Sequence, residues 1–254
     1  MNHPITTCCI LLFAITFHAH ASDLAKEQRW ADQIVDAILD GDAEWLNDGT
    51  SDFLSIYTES EDDSDRGLII MHGTGIHPDW QQVVQPLRVE MTKLGWHTLS
   101  IQMPILPNEA EYQEYLPLYD GIAPRVDAAL AYLKENGIEE VVLLGHSQGG
   151  AMGAYYLANS DKQAEFSAFI TIGTFNSDND DAQDSTKWMR RIDLPMLDLQ
   201  GSEDLDTVLK HAASRLEILS DAPSAQVTVE GANHFFDGKE EELVGAVNDW
   251  LQTL

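Results

Sequence analysis

Val141-Val142-Leu143-Leu144-Gly145-His146-Ser147-Gln148-Gly149-Gly150 is the stretch that decides the fold. An apolar, β-branched run stops abruptly at Gly-His-Ser-Gln-Gly, and the small-residue segment Ala151-Met152-Gly153-Ala154 follows. The run suits a strand buried on both faces, and the small residues suit a helix packed closely on a sheet. Between them stands G-x-S-x-G, in which a serine on a sharp strand-to-helix turn carries its Oγ above the sheet. Glycine is required two positions to either side because strand and helix pass too close for side chains.

Outward from that turn, strand and helix patterns alternate. Toward the N-terminus, Ser22 to Leu39 reads as a helix with Trp30, Ile34 and Ile38 on one face, and Asp52 to Tyr57 as an early strand. Gly67 to Met71 is a buried strand running into His72-Gly73-Thr74-Gly75; Val83, Leu87, Met91 and Leu94 then space as a helix face, and Trp96 to Met103 as a strand. Residues 104 to 120, with three tyrosines, read as a loop with room for one short helix, and Ile122, Val126, Leu130 and Leu133 mark the next helix. Beyond the central turn come a strand over Phe166 to Ile172, an acidic loop over Asp178 to Trp188 and a strand over Pro195 to Gln200. A helix through Val208, Ala212, Leu216 and Leu219, a strand over Gln226 to Val229, and a helix through Leu243, Val247 and Leu251 complete the chain. The expectation is an α/β fold, a mostly parallel sheet with helices on both faces, in a single domain over residues 22–254.

In such sheets functional residues collect beyond the carboxyl ends of the strands. Ser147 meets that rule; so do Asp204, in the loop after Gln200, and His234, between the last strand and the last helix. The types fit one chemistry: imidazole takes a serine proton near neutrality, and a carboxylate fixes its tautomer and supports the imidazolium. Glu203, Asp206 and Asp178 compete with Asp204 for the acid role, while Asp198 lies inside a strand and reads as a supporting carboxylate. Backbone N–H groups of Gln148 and Thr74 are the expected oxyanion donors. His72, Gly73, His146 and Trp80 are expected close to substrate, with His72 holding its loop in shape. No HExxH is present, His77 and His97 show no ligand spacing, and neither metal nor cofactor is expected.

Residues 1–21 read as a cleavable export signal, with an apolar core from Cys8 to Phe17 and an Ala19-His20-Ala21 cleavage site. Both cysteines lie in it, so the remainder has no thiol, disulfide or thiolate metal site, and a periplasmic or secreted destination follows. With 43 acidic against 14 basic residues and a net charge of −29, nucleic acid and anionic membranes are poor partners. The acidic runs Glu59 to Asp65 and Asp178 to Asp184 lack calcium-loop spacing and read as solvated loops. Such an acid excess also suits a salty exterior.

Taken together, His72-Gly73, Gly145-His146-Ser147-Gln148-Gly149, Asp204 and His234 resemble the α/β-hydrolase superfamily, in which the triad order is Ser, Asp, His. The segment His72 to Trp80, with Leu87-Arg88 and Gly95 to Ser100, resembles more narrowly an exported bacterial family with that fold and no assigned function. The resemblance implies a serine hydrolase, carboxylesterase-like, acting on a small or extended soluble ester or amide through an acyl-serine. The short acidic segment between Phe175 and Leu194 is unlike a lipase lid. The alternative is a non-catalytic binding or assembly protein on the same scaffold.

Overall fold

The computed structural model describes residues 22–179, 181–219 and 223–254; the expected export signal over residues 1–21 lies outside them. Eight strands form one sheet: β1 (Asp42–Asn47), β2 (Asp52–Thr58), β3 (Arg66–Met71), β4 (His97–Ile101), β5 (Glu140–His146), β6 (Ala168–Ile172), β7 (Met196–Glu203) and β8 (Ala225–Asn233). Their order is β1-β2-β4-β3-β5-β6-β7-β8, parallel from β4 to β8 and antiparallel at β1/β2 and β2/β4.

Helices α1 (Leu24–Val35), α2 (Val84–Glu90), α3 (Ile122–Glu135), α4 (Gln148–Asn159), α5 (Ser185–Met189), α6 (Asp206–Leu209), α7 (Ala212–Leu216) and α8 (Glu240–Leu251) surround the sheet. Side chains alternate along the central strands. Ile69, Met71, Val141, Leu143 and Phe169 face the core shared with α3 and α4; Leu68, Ile70, Val142, Leu144 and Ile170 face the one shared with α2 and α8. The unbroken apolar runs of β3 and β5 follow from this burial on both faces. Helix α1 packs Ala31 and Ile34 on Leu54 and Ile56 of β2. Among the described residues no helix is long and apolar enough to cross a membrane.

Three local expectations change. The edge strand β1 escapes periodicity because its residues are mostly half-exposed or exposed, so no apolar face is written into it. The helix expected from Val208 to Leu219 is two short ones, α6 and α7. There Arg215 turns inward, bonding Asp198 Oδ2 at 2.8 Å and the Val208 carbonyl at 3.2 Å, while Leu216 is half exposed. A buried ion pair thus displaces the apolar face predicted for this segment. Strand β7 continues past Gln200 to Glu203, with an irregular register between Gly201 and Glu203. A Cβ at Gly201 would overlap the Ala232 carbonyl oxygen, so only glycine lets the ends of β7 and β8 converge.

Candidate active site

Ser147 is built into the β5–α4 turn with φ 55° and ψ −121°, a conformation that costs a non-glycine residue about 1–3 kcal/mol. Close packing on every side enforces it. A Cβ at Gly145 would lie 2.5 Å from the Gly149 carbonyl carbon and Gly150 nitrogen; one at Gly149 would lie 2.6 Å from the His72 oxygen. Ser147 N–H donates to the Ile172 carbonyl at 2.8 Å, and Phe175 N–H donates to the Ser147 carbonyl at 3.3 Å. The turn is therefore pinned to the end of β6.

Strands β7 and β8 deliver the other two residues. Asp204 directly follows β7 and His234 directly follows β8, and His234 Nδ1–H donates to Asp204 Oδ1 at 2.6 Å. The same carboxylate accepts the Leu205 N–H at 2.7 Å and the Gly201 N–H at 3.3 Å. Burial pushes the Asp204 carboxyl up, but the bond and charge of His234 with these two N–H donors outweigh it and hold the group below its ordinary value. The competing carboxylates lie elsewhere. Asp178 is exposed and pairs with Lys210 at 2.6 Å and His211 at 3.0 Å; Glu203 and Asp206 are exposed; Asp198 is sealed against Arg215.

His146 and Gly173 position the imidazole. His146 Nε2–H donates to the His234 carbonyl at 3.0 Å, with the two ring centroids 4.8 Å apart. Burial drives the His146 pKa down to about 3, so this ring stays neutral. Gly173, at φ 53°, passes so near that a Cβ would stand 3.0 Å from His234 Nδ1. No hydrogen bond joins Ser147 Oγ to His234 among the described residues, and such contacts often tighten only when substrate binds.

The loop after β3 crosses the front of the nucleophile: a Cβ at Gly73 would lie 2.8 Å from Ser147 Cβ. His72 braces this loop. Its Nδ1–H donates to the Gly73 carbonyl at 2.8 Å, and its Nε2 accepts the Met103 N–H at 3.0 Å, which defines one neutral tautomer. Burial lowers the His72 pKa to about 3. The N–H groups of Thr74 and of Gln148, the first residue of α4, donate to no acceptor among the described residues. Among the described residues Thr74 Oγ1, Gln148 Oε1 and Thr174 Oγ1 are likewise buried without partners.

Thr174 and Phe175 were not anticipated from sequence, although both directly follow a strand that was. Phe175 stacks on Tyr112 with centroids 4.7 Å apart, and Gln148 Nε2–H donates to Tyr119 Oη at 2.8 Å, so the 104–120 segment walls the site. That segment carries a 3-10 helix over Tyr112–Gly121. Trp80 departs from expectation: it lies beside His77 and lines a cleft against α1 that contains none of Ser147, Asp204 or His234. Among the described residues no group of three or more His, Cys, Asp or Glu could hold a metal ion.

The family model for a protein of unknown function, DUF3530, matches residues 18–117 and 110–253. The chain belongs to that family. No curated protein matches it by sequence. Among solved structures it is similar to Est1E from Butyrivibrio proteoclasticus (TM-score 0.65, 16% identity, 84% of this chain and 98% of that one). It is also similar to dienelactone hydrolase from Anabaena variabilis (TM-score 0.65, 18% identity, 84% and 96%). A third is XC6422 from Xanthomonas campestris, described as an α/β serine hydrolase without lid (TM-score 0.66, 19% identity, 85% and 95%). The fold of this DUF3530 chain is therefore the α/β-hydrolase fold.

Proposed function

We propose that this DUF3530 protein is an exported serine hydrolase that cleaves an ester or amide through an acyl-Ser147 intermediate. The observation that carries the reading is the bond of His234 Nδ1 to the buried Asp204 carboxylate, with that imidazole packed beside the strained Ser147 turn. In the proposed reaction His234 Nε2 takes the Ser147 proton as Oγ attacks the carbonyl carbon. The oxyanion accepts from the Thr74 and Gln148 N–H groups. Collapse of the tetrahedral adduct breaks the bond to the leaving group, which receives the proton from His234. Water then attacks the acyl-enzyme by the same route in reverse, freeing the acid and restoring Ser147. Asp204 stays ionised and supports the imidazolium.

A carboxylesterase suits the site better than an interfacial lipase. Between Phe175 and Leu194 the only helix among the described residues is the five-residue α5, too short for an apolar lid. Export rests on the pattern of residues 1–21.

The deciding test is fluorophosphonate labelling of the purified protein, read by intact mass beside Ser147→Ala. Labelling at one site that vanishes in Ser147→Ala, together with p-nitrophenyl acetate hydrolysis, is expected. A folded protein that resists the probe would overturn the reading and leave a binding scaffold in its place.

A further inference from the structure

Apart from the Ser147 site, α1, the loop from His77 to Val83 and the start of α2 border a cleft of about 630 Å³, within the range of small-ligand sites. Its walls combine aromatic rings with amides. The His77 ring lies between Trp30 and Trp80, with centroids 5.6 and 5.2 Å away and interplanar angles of 68° and 76°. Gln33 from α1, and Gln81, Gln82 and Gln85 from the opposite side, complete the lining. Trp80 Nε1–H is buried and has no acceptor.

On a chain of net charge −29, this cleft is close to neutral. Its one acidic lining side chain, Asp79, is paired at 2.6 Å with the fully buried Arg88 guanidinium. Burial lowers the His77 pKa, which keeps that ring uncharged near neutrality. Among the described lining residues Asp79 alone carries a formal charge, and Arg88 neutralises it. Each glutamine amide offers a donor and an acceptor together, the pattern a hydroxyl presents in return. Indole surfaces suit the C–H faces of a ring that also carries such hydroxyls, because they are apolar and rigid.

We propose that this cleft binds a neutral saccharide. Helix α1 is held in place for it: Ser22 Oγ contacts the Ile105 carbonyl at 3.1 Å, and Lys26 Nζ donates to the Leu106 carbonyl at 2.8 Å while standing over Trp30. In sequence, only Gly75 and Ile76 separate Thr74 from His77.

The test is calorimetric and tryptophan-fluorescence titration of wild type and Ser147→Ala with xylotetraose, cellotetraose and chitotetraose, with trigalacturonate as the anionic comparator. At least one neutral probe binds both proteins at roughly millimolar Kd or tighter, and trigalacturonate does not. Trp80→Ala, and the double variant Gln33→Ala/Gln81→Ala at two exposed positions, each weaken that binding by about tenfold or more. If Trp80→Ala fails to fold, the double glutamine variant decides. Absence of binding by all three neutral probes, equal binding of trigalacturonate, or variants that bind like wild type would overturn the proposal. Ser147→Ala retains the cleft, so failed covalent labelling alongside intact saccharide binding removes only the hydrolase reading. Successful labelling without binding removes only this one.

Discussion

Replacing Asp204 by Asn removes one charge while leaving the side-chain shape, and the structure says what each orientation of the amide would do. With its oxygen at the Oδ1 position, Asn still accepts from His234 Nδ1–H and Leu205 N–H, now 2.6 and 2.7 Å from the carboxylate. Its NH2 group then faces the Gly201 N–H, donor against donor. With the amide reversed, NH2 faces His234 Nδ1 and drives the proton to Nε2, the atom that must accept from Ser147. Either way the imidazolium loses a buried counter-charge. We expect kcat to fall by about a thousand- to ten-thousand-fold, or about 4–5.5 kcal/mol of barrier, for an ester such as p-nitrophenyl acetate. KM should change little, because Asp204 touches His234 and not the substrate. Stability should change little as well, so a thermal melt run beside the kinetics separates lost chemistry from lost fold. Asp178→Asn, at an exposed pair with Lys210, serves as the control of unchanged rate. An Asp204→Asn enzyme that kept more than about a tenth of wild-type kcat would refute the assignment of this carboxylate.

Other consequences can be checked separately. Gly149→Ala should cost at least about 2 kcal/mol in urea unfolding, and most activity, because its Cβ would press on the Met71 and His72 carbonyl oxygens. Arg215→Leu should lower stability by about 3–5 kcal/mol, because it leaves the Asp198 carboxylate buried and uncompensated. Unchanged denaturant midpoints would refute either argument. His72 and His146 titrate near 3 when folded against an ordinary value of 6.5, so the unfolded chain takes up their protons first. The stability gained by keeping both rings neutral is complete above about pH 6.5 and is lost as pH falls from there toward about 3. Each ring contributes up to about 1.4 kcal/mol per pH unit in that window. His77, also lowered by burial, adds to the effect, while Glu27, pushed up by burial, opposes it. Urea unfolding at pH 7 and pH 5 measures the effect; equal stabilities would refute it.

The α/β architecture and the place of the nucleophile were legible because both are local. An apolar run ending in Gly-His-Ser-Gln-Gly dictates a buried strand and a turn that only glycine flanks can close, whatever the rest of the chain does. His234 was legible by its place after the last strand. Asp204 was the expected acid, but sequence position alone did not separate it from Glu203, Asp206 and Asp178, which are equivalent in type and each lie near a strand end. What separates them is the convergence of β7 and β8 at Gly201, which turns one carboxylate onto His234 and leaves the others exposed. The same limit explains β1, half exposed at the sheet edge, and α7, where a buried arginine occupies the inward face that periodicity assigned to leucine. Trp80 shows it again, lining a separate cleft that contains none of the triad residues. Sequence determines what depends on neighbours along the chain. Tertiary structure decided which of several similar groups, distant in sequence, meet within hydrogen-bonding distance.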